Sequence, residues 1–136
     1  MSGDPGQDNG LERSWIASSL KISPVEQVRF LGRLIERRLP VDAVAIDKTL
    51  AIVEHQTAGD WTIRGKTGSA YPRRADRSFD RARGWGWYVG WARHDGRTLV
   101  FARLDQDETR QSVSGGLRAR DALLEEWEAL AGSLAR

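Results

Sequence analysis

The sequence predicts an α+β domain in which helices precede a three-stranded antiparallel meander and a last helix packs on the sheet. Three observations carry that prediction. Residues 85–91 alternate, with Trp85, Trp87, Val89 and Trp91 on one side and Gly86, Tyr88 and Gly90 on the other, which is the period of a strand. Apolar residues recur at helical spacing before and after this region, at Val25, Val28, Leu31, Leu34 and Ile35 and again from Leu117 to Leu134. The chain has 136 residues, 40% hydrophobic and 29% charged, the composition of one ordinary globular core with no repeat and no second domain.

Residues 1–14, MSGDPGQDNGLERS, are rich in turn formers and resemble an internal loop. Ser23-Pro24-Val25-Glu26 then has the form of a capping box with proline at the first helical position, predicting a helix over 24–38. Arg37 and Arg38 fall where that helix's last carbonyls favour cations. Pro40 breaks the chain, Asp42 caps a second helix carrying Ile46, Leu50 and Val53, and this helix is expected to end near His55. TAGD is a turn into a strand from Trp61 to Thr67. HDGR joins the strand at Trp85 to a third strand, Thr98 to Leu104, through a tight hairpin. The closing helix from Ser114 carries Leu117, Leu124, Trp127, Ala131 and Leu134 as its predicted buried stripe.

Composition also excludes. No apolar run approaches a membrane span, and no charged-then-apolar leader opens the chain, so nothing in it as written directs export. Without cysteine there is no disulfide, thiol nucleophile or thiolate metal site. A formal charge of +2 is too small to imply a polyanionic partner for the whole chain, although residues 73–83 gather five arginines against Asp76 and Asp80.

The segment with most chemistry is WTIRGKTGSA, residues 61–70. A lysine at a strand end aims an ammonium into a cleft, and a threonine hydroxyl with the next backbone N–H groups offers donors to a carboxylate or a developing oxyanion. Alone, Lys66-Thr67-Gly68 is as readily an exposed strand end. Ser18-Ser19-Leu20-Lys21 spells Ser-x-x-Lys, but Ser23-Pro24 begins a new cap just after it, so serine and lysine do not share a helical turn, and the stretch reads as a connector. His55 and His94 lack ligand spacing, which leaves no metal site, and Asp105, Asp107 and Glu108 read as a solvated loop. Trp85, Trp87 and Trp91 beside the arginines form a remote candidate for stacking single-stranded nucleic acid; at strand spacing they are core and cleft-wall residues.

Lys-Thr-Gly is a signature of serine β-lactamases and penicillin-binding proteins. In order and spacing, SWIASSLKISPVEQVRFL, IRGKTGS, GWGWYVGWA, LVFARLDQD and GGLRARDALL together resemble the C-terminal half of class D β-lactamases, the oxacillinases. The resemblance implies a partial domain, residues 1–136, of the penicillin-binding (transpeptidase-like) fold. It implies that Lys66 assists proton traffic, Thr67 and Gly68 line the β-lactam carboxylate site, Ser69 lends a backbone N–H to the oxyanion hole, and Arg118 holds the same carboxylate with a planar guanidinium. Trp15 matches the tryptophan that supports the family's active-site lysine, which carries a carbamate derived from carbon dioxide. That lysine and the serine nucleophile belong to the half of the pattern not matched here. The chain alone is therefore expected to be inactive, with an uncovered strand edge and an uncovered apolar helix face, and to self-associate or pair with a complementing N-terminal fragment. The implied partner is a β-lactam, not nucleic acid or membrane, and the implied location of the complete protein is the periplasm. A penicillin-sensing or penicillin-binding module is the alternative.

Overall fold

The structure, a computed structural model, describes residues 21–134. Its elements are α1 (Pro24–Ile35), α2 (Ala43–Ile52), β1 (His55–Ala58), β2 (Trp61–Ala70), β3 (Trp85–His94), β4 (Arg97–Gln106) and α3 (Gly115–Ser133). The strands form one antiparallel sheet in the order β1-β2-β3-β4. The architecture is α+β as expected, but the sheet has a fourth strand where the sequence reading placed a helix end and a turn. Helix α2 stops at Ile52, and His55–Ala58 pairs back on Trp61–Arg64. Gly59 at φ 54 supplies the left-handed residue this two-residue hairpin needs. Four isolated residues with one alternation carry too little periodicity to announce a strand; pairing with β2 makes it one.

Helix α1 starts as predicted. Ser23 Oγ accepts the Glu26 amide at 3.2 Å while the Glu26 carboxylate accepts the Ser23 amide at 2.9 Å, so two otherwise orphaned donors are satisfied. The Ser23 backbone N–H, with its hydroxyl, holds the Glu26 carboxyl below the ordinary carboxylate range. The helix ends earlier than expected, at Ile35, because Arg37 adopts φ 58 and turns the chain back. Asp42 Oδ1 caps α2 by accepting the Val44 amide at 2.7 Å. Arg64, reaching from β2, donates to the carbonyls of Leu50 and Val53, each at 3.2 Å, and so closes the other end of α2.

The sheet is covered on both faces. On one, Leu31 and Leu34 of α1 and Ile46 of α2 gather with Val89 of β3 and Val100 of β4. On the other, Trp61, Ile63, Tyr88, Ala92 and Phe101 pack against Ala119, Leu123, Trp127 and Ala131 of α3. The stripe α3 buries is therefore displaced from the predicted one: Leu117 and Leu134 face outward, 39% and 68% exposed. The small residues Gly116 and Ala119 take the inward positions because the glycine face of β3 lets the helix approach to backbone contact. Val25 also lies outside its predicted core, at 59% exposure. Phe30, Val44 and Ile52 on the same two helices are exposed as well, at 44%, 57% and 81%.

The hairpin between β3 and β4 is the two-residue turn read from HDGR, with Asp95 at φ 45 and Gly96 at φ 74. The loop from β2 to β3 folds on itself: Arg73 pairs with Phe79, the Asp80 amide donates to the Pro72 carbonyl at 2.8 Å, and the Arg73 guanidinium stacks 4.4 Å from the Phe79 ring centroid.

Candidate functional site

Strand β2 carries the Lys66-Thr67-Gly68-Ser69 stretch, and two packing facts aim it. Gly65 lies under the buried Tyr88 ring, so closely that a Cβ there would stand 2.6 Å from ring atoms. The strand is therefore pinned against β3 just before Lys66. Burial that leaves the Tyr88 phenol far from water pushes its pKa up to about 12. Beyond Gly65 the sheet changes character on its β1 side. The Gly65 amide donates to the Glu54 carbonyl at 3.1 Å, and β1 pairs no further along than Arg64. Peptide groups alternate along a strand, so the N–H and C=O of Thr67 and Ser69 face this same edge, which no described strand covers. Lys66 is exposed beside it and donates from Nζ to the Thr67 carbonyl at 2.5 Å.

Helix α3 locks the far end of the stretch. Ser69 Oγ accepts the Gly116 amide at 2.9 Å and lies 2.7 Å from Ser114 Oγ, so the strand serine caps the helix while Ser114, at the N-cap position, makes no side-chain cap bond itself. The contact demands glycine: a Cβ on Gly116 would stand 2.7 Å from the Gly68 carbonyl oxygen, and one on Gly86 would stand 2.1 Å from the Gly115 carbonyl oxygen. The first turn of α3, with its positive dipole end, thus adjoins Gly68 and Ser69.

Arg118, one turn into α3, is half-buried. It donates from Nη2 to Asp107 Oδ1 at 2.5 Å and from Nε to the Val113 carbonyl at 3.2 Å. Its Nη1 has no partner among the described residues. Asp107 differs from its reading as a solvated carboxylate: its side chain is 10% exposed, because its amide donates to the Gly84 carbonyl at 2.8 Å and draws it under the β2–β3 loop. A narrow cleft lined by Ser69, Tyr71, Arg81, Gly84, Trp85 and Asp107 lies beside this pair. Sequence reasoning missed Tyr71, Arg81 and Asp107. No short-range pattern places a β2–β3 loop residue beside a β4–α3 loop residue, although the acid after β4 and the arginine after Ser114 were each visible.

The other candidates separate. Trp15 and Ser18 to Leu20 lie outside the described residues; Lys21 lies outside α1, which begins at Pro24. His94 sits 3.1 Å from the Asp60 carbonyl and packs on Trp61, while His55 is exposed on β1. Among the described residues no group of three or more His, Asp or Glu is placed to hold a metal ion. Trp91 is 3% exposed, buried on the α1–α2 face with no free ring to stack a base.

Residues 1–126 match the penicillin binding protein transpeptidase domain. The chain belongs to that family. Within the transpeptidase family it corresponds to the C-terminal half of class D β-lactamases. It is 42% identical over 134 residues to Beta-lactamase OXA-9 of Klebsiella pneumoniae, covering 98% of this chain and 49% of the relative. The solved structure of the OXA-427 class D β-lactamase is 40% identical, with a TM-score of 0.74 over 98% of this chain and 53% of that one. The C-terminal domain of the Bacillus licheniformis BlaR penicillin-receptor, 23% identical over 79% of this chain and 41% of that one, shares the fold at a TM-score of 0.62. The transpeptidase-family chain thus spans about half the length of its class D relatives.

Proposed function

We propose that this chain supplies the carboxylate-binding and oxyanion side of a class D β-lactamase site. The observation that supports the reading is the edge of β2 beyond Gly65, which no described strand covers: the backbone N–H groups of Thr67 and Ser69 face it, with the exposed Lys66 ammonium beside it. In the complete reaction a serine attacks the lactam carbonyl, the ring C–N bond breaks as its nitrogen takes a proton, and water then hydrolyses the acyl-enzyme. The attacking serine and the carbamylated lysine, whose carbamate supplies the general base, come from sequence other than these 136 residues. This chain's part is to bind and stabilise. The Ser69 N–H donates to the oxygen that gains charge at the tetrahedral stage, where a preorganised donor contributes roughly 3–4 kcal/mol. Lys66 and Thr67 hold the ring carboxylate. The free Nη1 of Arg118 serves the same carboxylate, with Trp15 supporting the lysine that these residues do not include. The complete protein acts in the periplasm, with a β-lactam as its substrate.

The experiment is nitrocefin turnover by the purified chain, alone and mixed with the N-terminal half of a class D β-lactamase, followed by peptide mapping of any penicilloyl adduct. Turnover only in the mixture, with the adduct on the added half, is the expected result. An adduct on a serine of this chain overturns the division of labour. The BlaR likeness favours a second reading, a penicillin-sensing module, and the same assay separates it: a mixture that acylates stoichiometrically but does not turn over is a sensor.

A further inference from the structure

The chain carries its positive charge in one place. The loop between β2 and β3, residues 71–84, holds five arginines against Asp76 and Asp80, a net +3, whereas the other residues, with 16 basic and 17 acidic side chains, sum to −1. The whole positive balance therefore lies in this loop. The proposed reaction gives those arginines no part.

The loop is built, and its acids are satisfied within it. The Arg74 amide donates to the Ser78 carbonyl and the Arg77 amide to the Arg74 carbonyl, each at 2.9 Å, and Arg77 makes the turn at φ 67, so the segment doubles back on itself. Asp76 accepts the Ser78 amide and hydroxyl at 2.9 and 2.6 Å. Asp80 accepts Arg74 Nη2 at 3.0 Å and the Ala82 amide at 3.2 Å. Arg77, Arg81 and Arg83 are exposed, and none of the three meets a carboxylate among the described residues. Three guanidiniums are left to act outward.

An apolar ring stands among these cations. Phe79 is 45% exposed, although the Arg73 guanidinium lies over it and the Tyr71 ring is tilted against it, 6.4 Å between centroids. These contacts decide between two anionic partners. Bases of a single strand stack on open aromatic faces, but Arg73 lies over Phe79 and Arg81 over Tyr71, so neither ring stands clear of a guanidinium. A lipid surface asks only for exposed apolar area at headgroup depth, ringed by cations that bind phosphate through paired N–H donors.

We infer that the β2–β3 loop is a peripheral docking surface for an anionic phospholipid bilayer, with Arg77, Arg81 and Arg83 meeting lipid phosphates and Phe79 entering the headgroup layer. This partner is one that the family resemblance does not imply, and it stands or falls apart from the β-lactam reading. The test is flotation of the full chain with phosphatidylcholine vesicles containing about 30% phosphatidylglycerol, against vesicles of phosphatidylcholine alone. Partition onto the anionic vesicles is expected to be about tenfold or more stronger at low salt and to be lost in about 0.5 M salt. Arg77→Glu with Arg83→Glu should weaken it about tenfold or more. Arg29→Glu with Arg33→Glu, the same change of net charge on exposed side chains of α1, should leave it within about twofold. Phe79→Ser should weaken it about threefold. A single-stranded oligothymidylate at equal phosphate concentration should leave the bound fraction unchanged. Equal partition of the wild-type chain onto the two kinds of vesicle, or an equal loss from the two arginine pairs, overturns the surface; displacement by the oligonucleotide makes it a general polyanion site and overturns the lipid assignment.

Discussion

The hydroxyl of Ser69, on the strand that carries the Lys-Thr-Gly triplet, accepts the Gly116 amide at 2.9 Å and so caps the helix behind the sheet. One side chain therefore ties the position of the proposed oxyanion donor to the start of α3. Ser69→Ala should destabilise the chain by about 1 kcal/mol, the worth of a lost N-cap. Ser114→Ala should cost less, since among the described residues the Ser114 side chain meets only the Ser69 hydroxyl. Urea titration of both variants checks the order; a larger loss for Ser114→Ala would show that the helix is capped differently.

Gly116 packs on the backbone of Gly68. Gly116→Ala would place a methyl 2.7 Å from the Gly68 carbonyl oxygen and force strand and helix apart. The expected cost is about 1–3 kcal/mol, the usual penalty for overpacking, despite alanine's better helix propensity. A neutral or stabilising substitution, read from the same titration, would mean that α3 slides freely on the sheet.

Trp127 is buried among Trp61 and Phe101, with ring centroids 5.7 and 5.4 Å away, and its indole N–H has no hydrogen-bond partner among the described residues. Replacing it by phenylalanine removes an unsatisfied donor together with some packing, so the two effects oppose. Trp127→Ala should cost about 3–5 kcal/mol and Trp127→Phe less than about half of that. Equal losses would show that the N–H is satisfied in solution.

Asp107 and Arg118 form a half-buried pair, and Asp107→Asn leaves the guanidinium without its counter-charge. Stability should fall by about 1–2 kcal/mol. Anion affinity should rise, because Nη2 becomes available beside Nη1. Titration of benzylpenicillin into the two-half mixture reads the second effect, and unchanged or weaker binding would remove Arg118 from the carboxylate site.

Stability should also fall at both ends of the pH scale. The folded-state pKa of Glu26 is depressed, first by the Ser23 amide, and that of Asp76 is depressed, first by the Ser78 hydroxyl. Each carboxylate thus contributes stability above its unfolded pKa and loses it as pH falls through the folded one. Glu26→Gln should flatten the acid limb of a midpoint-versus-pH curve. Tyr88 works the other way: raised to about 12 by burial, it stabilises fully below pH 10 and loses this as pH rises further. Phenolate absorbance should show one of the two tyrosines titrating only with unfolding.

Much of the fold was written in local chemistry. The capping box at Ser23 and Glu26, the Asp42 cap, the alternation through β3 and the Asp95-Gly96 turn each depend on neighbours a few residues apart, so periodicity and turn preference suffice to read them. The Lys-Thr-Gly stretch was legible for the same reason, and its order among the surrounding segments carried the family. Other features depend on residues far apart in the chain. Strand β1 exists because it can pair with β2, and the buried stripe of α3 shifts toward Gly116 because Gly86 and Gly68 allow backbone contact from behind. Asp107 is drawn from a solvated loop onto Arg118 by a hydrogen bond to Gly84, and Arg81 meets Tyr71 only where the β2–β3 loop folds back. Local sequence determined which elements form and where the reactive triplet lies; only tertiary packing decided which edge that triplet faces and which charges surround it, because those are settled by contacts between segments with no shared periodicity.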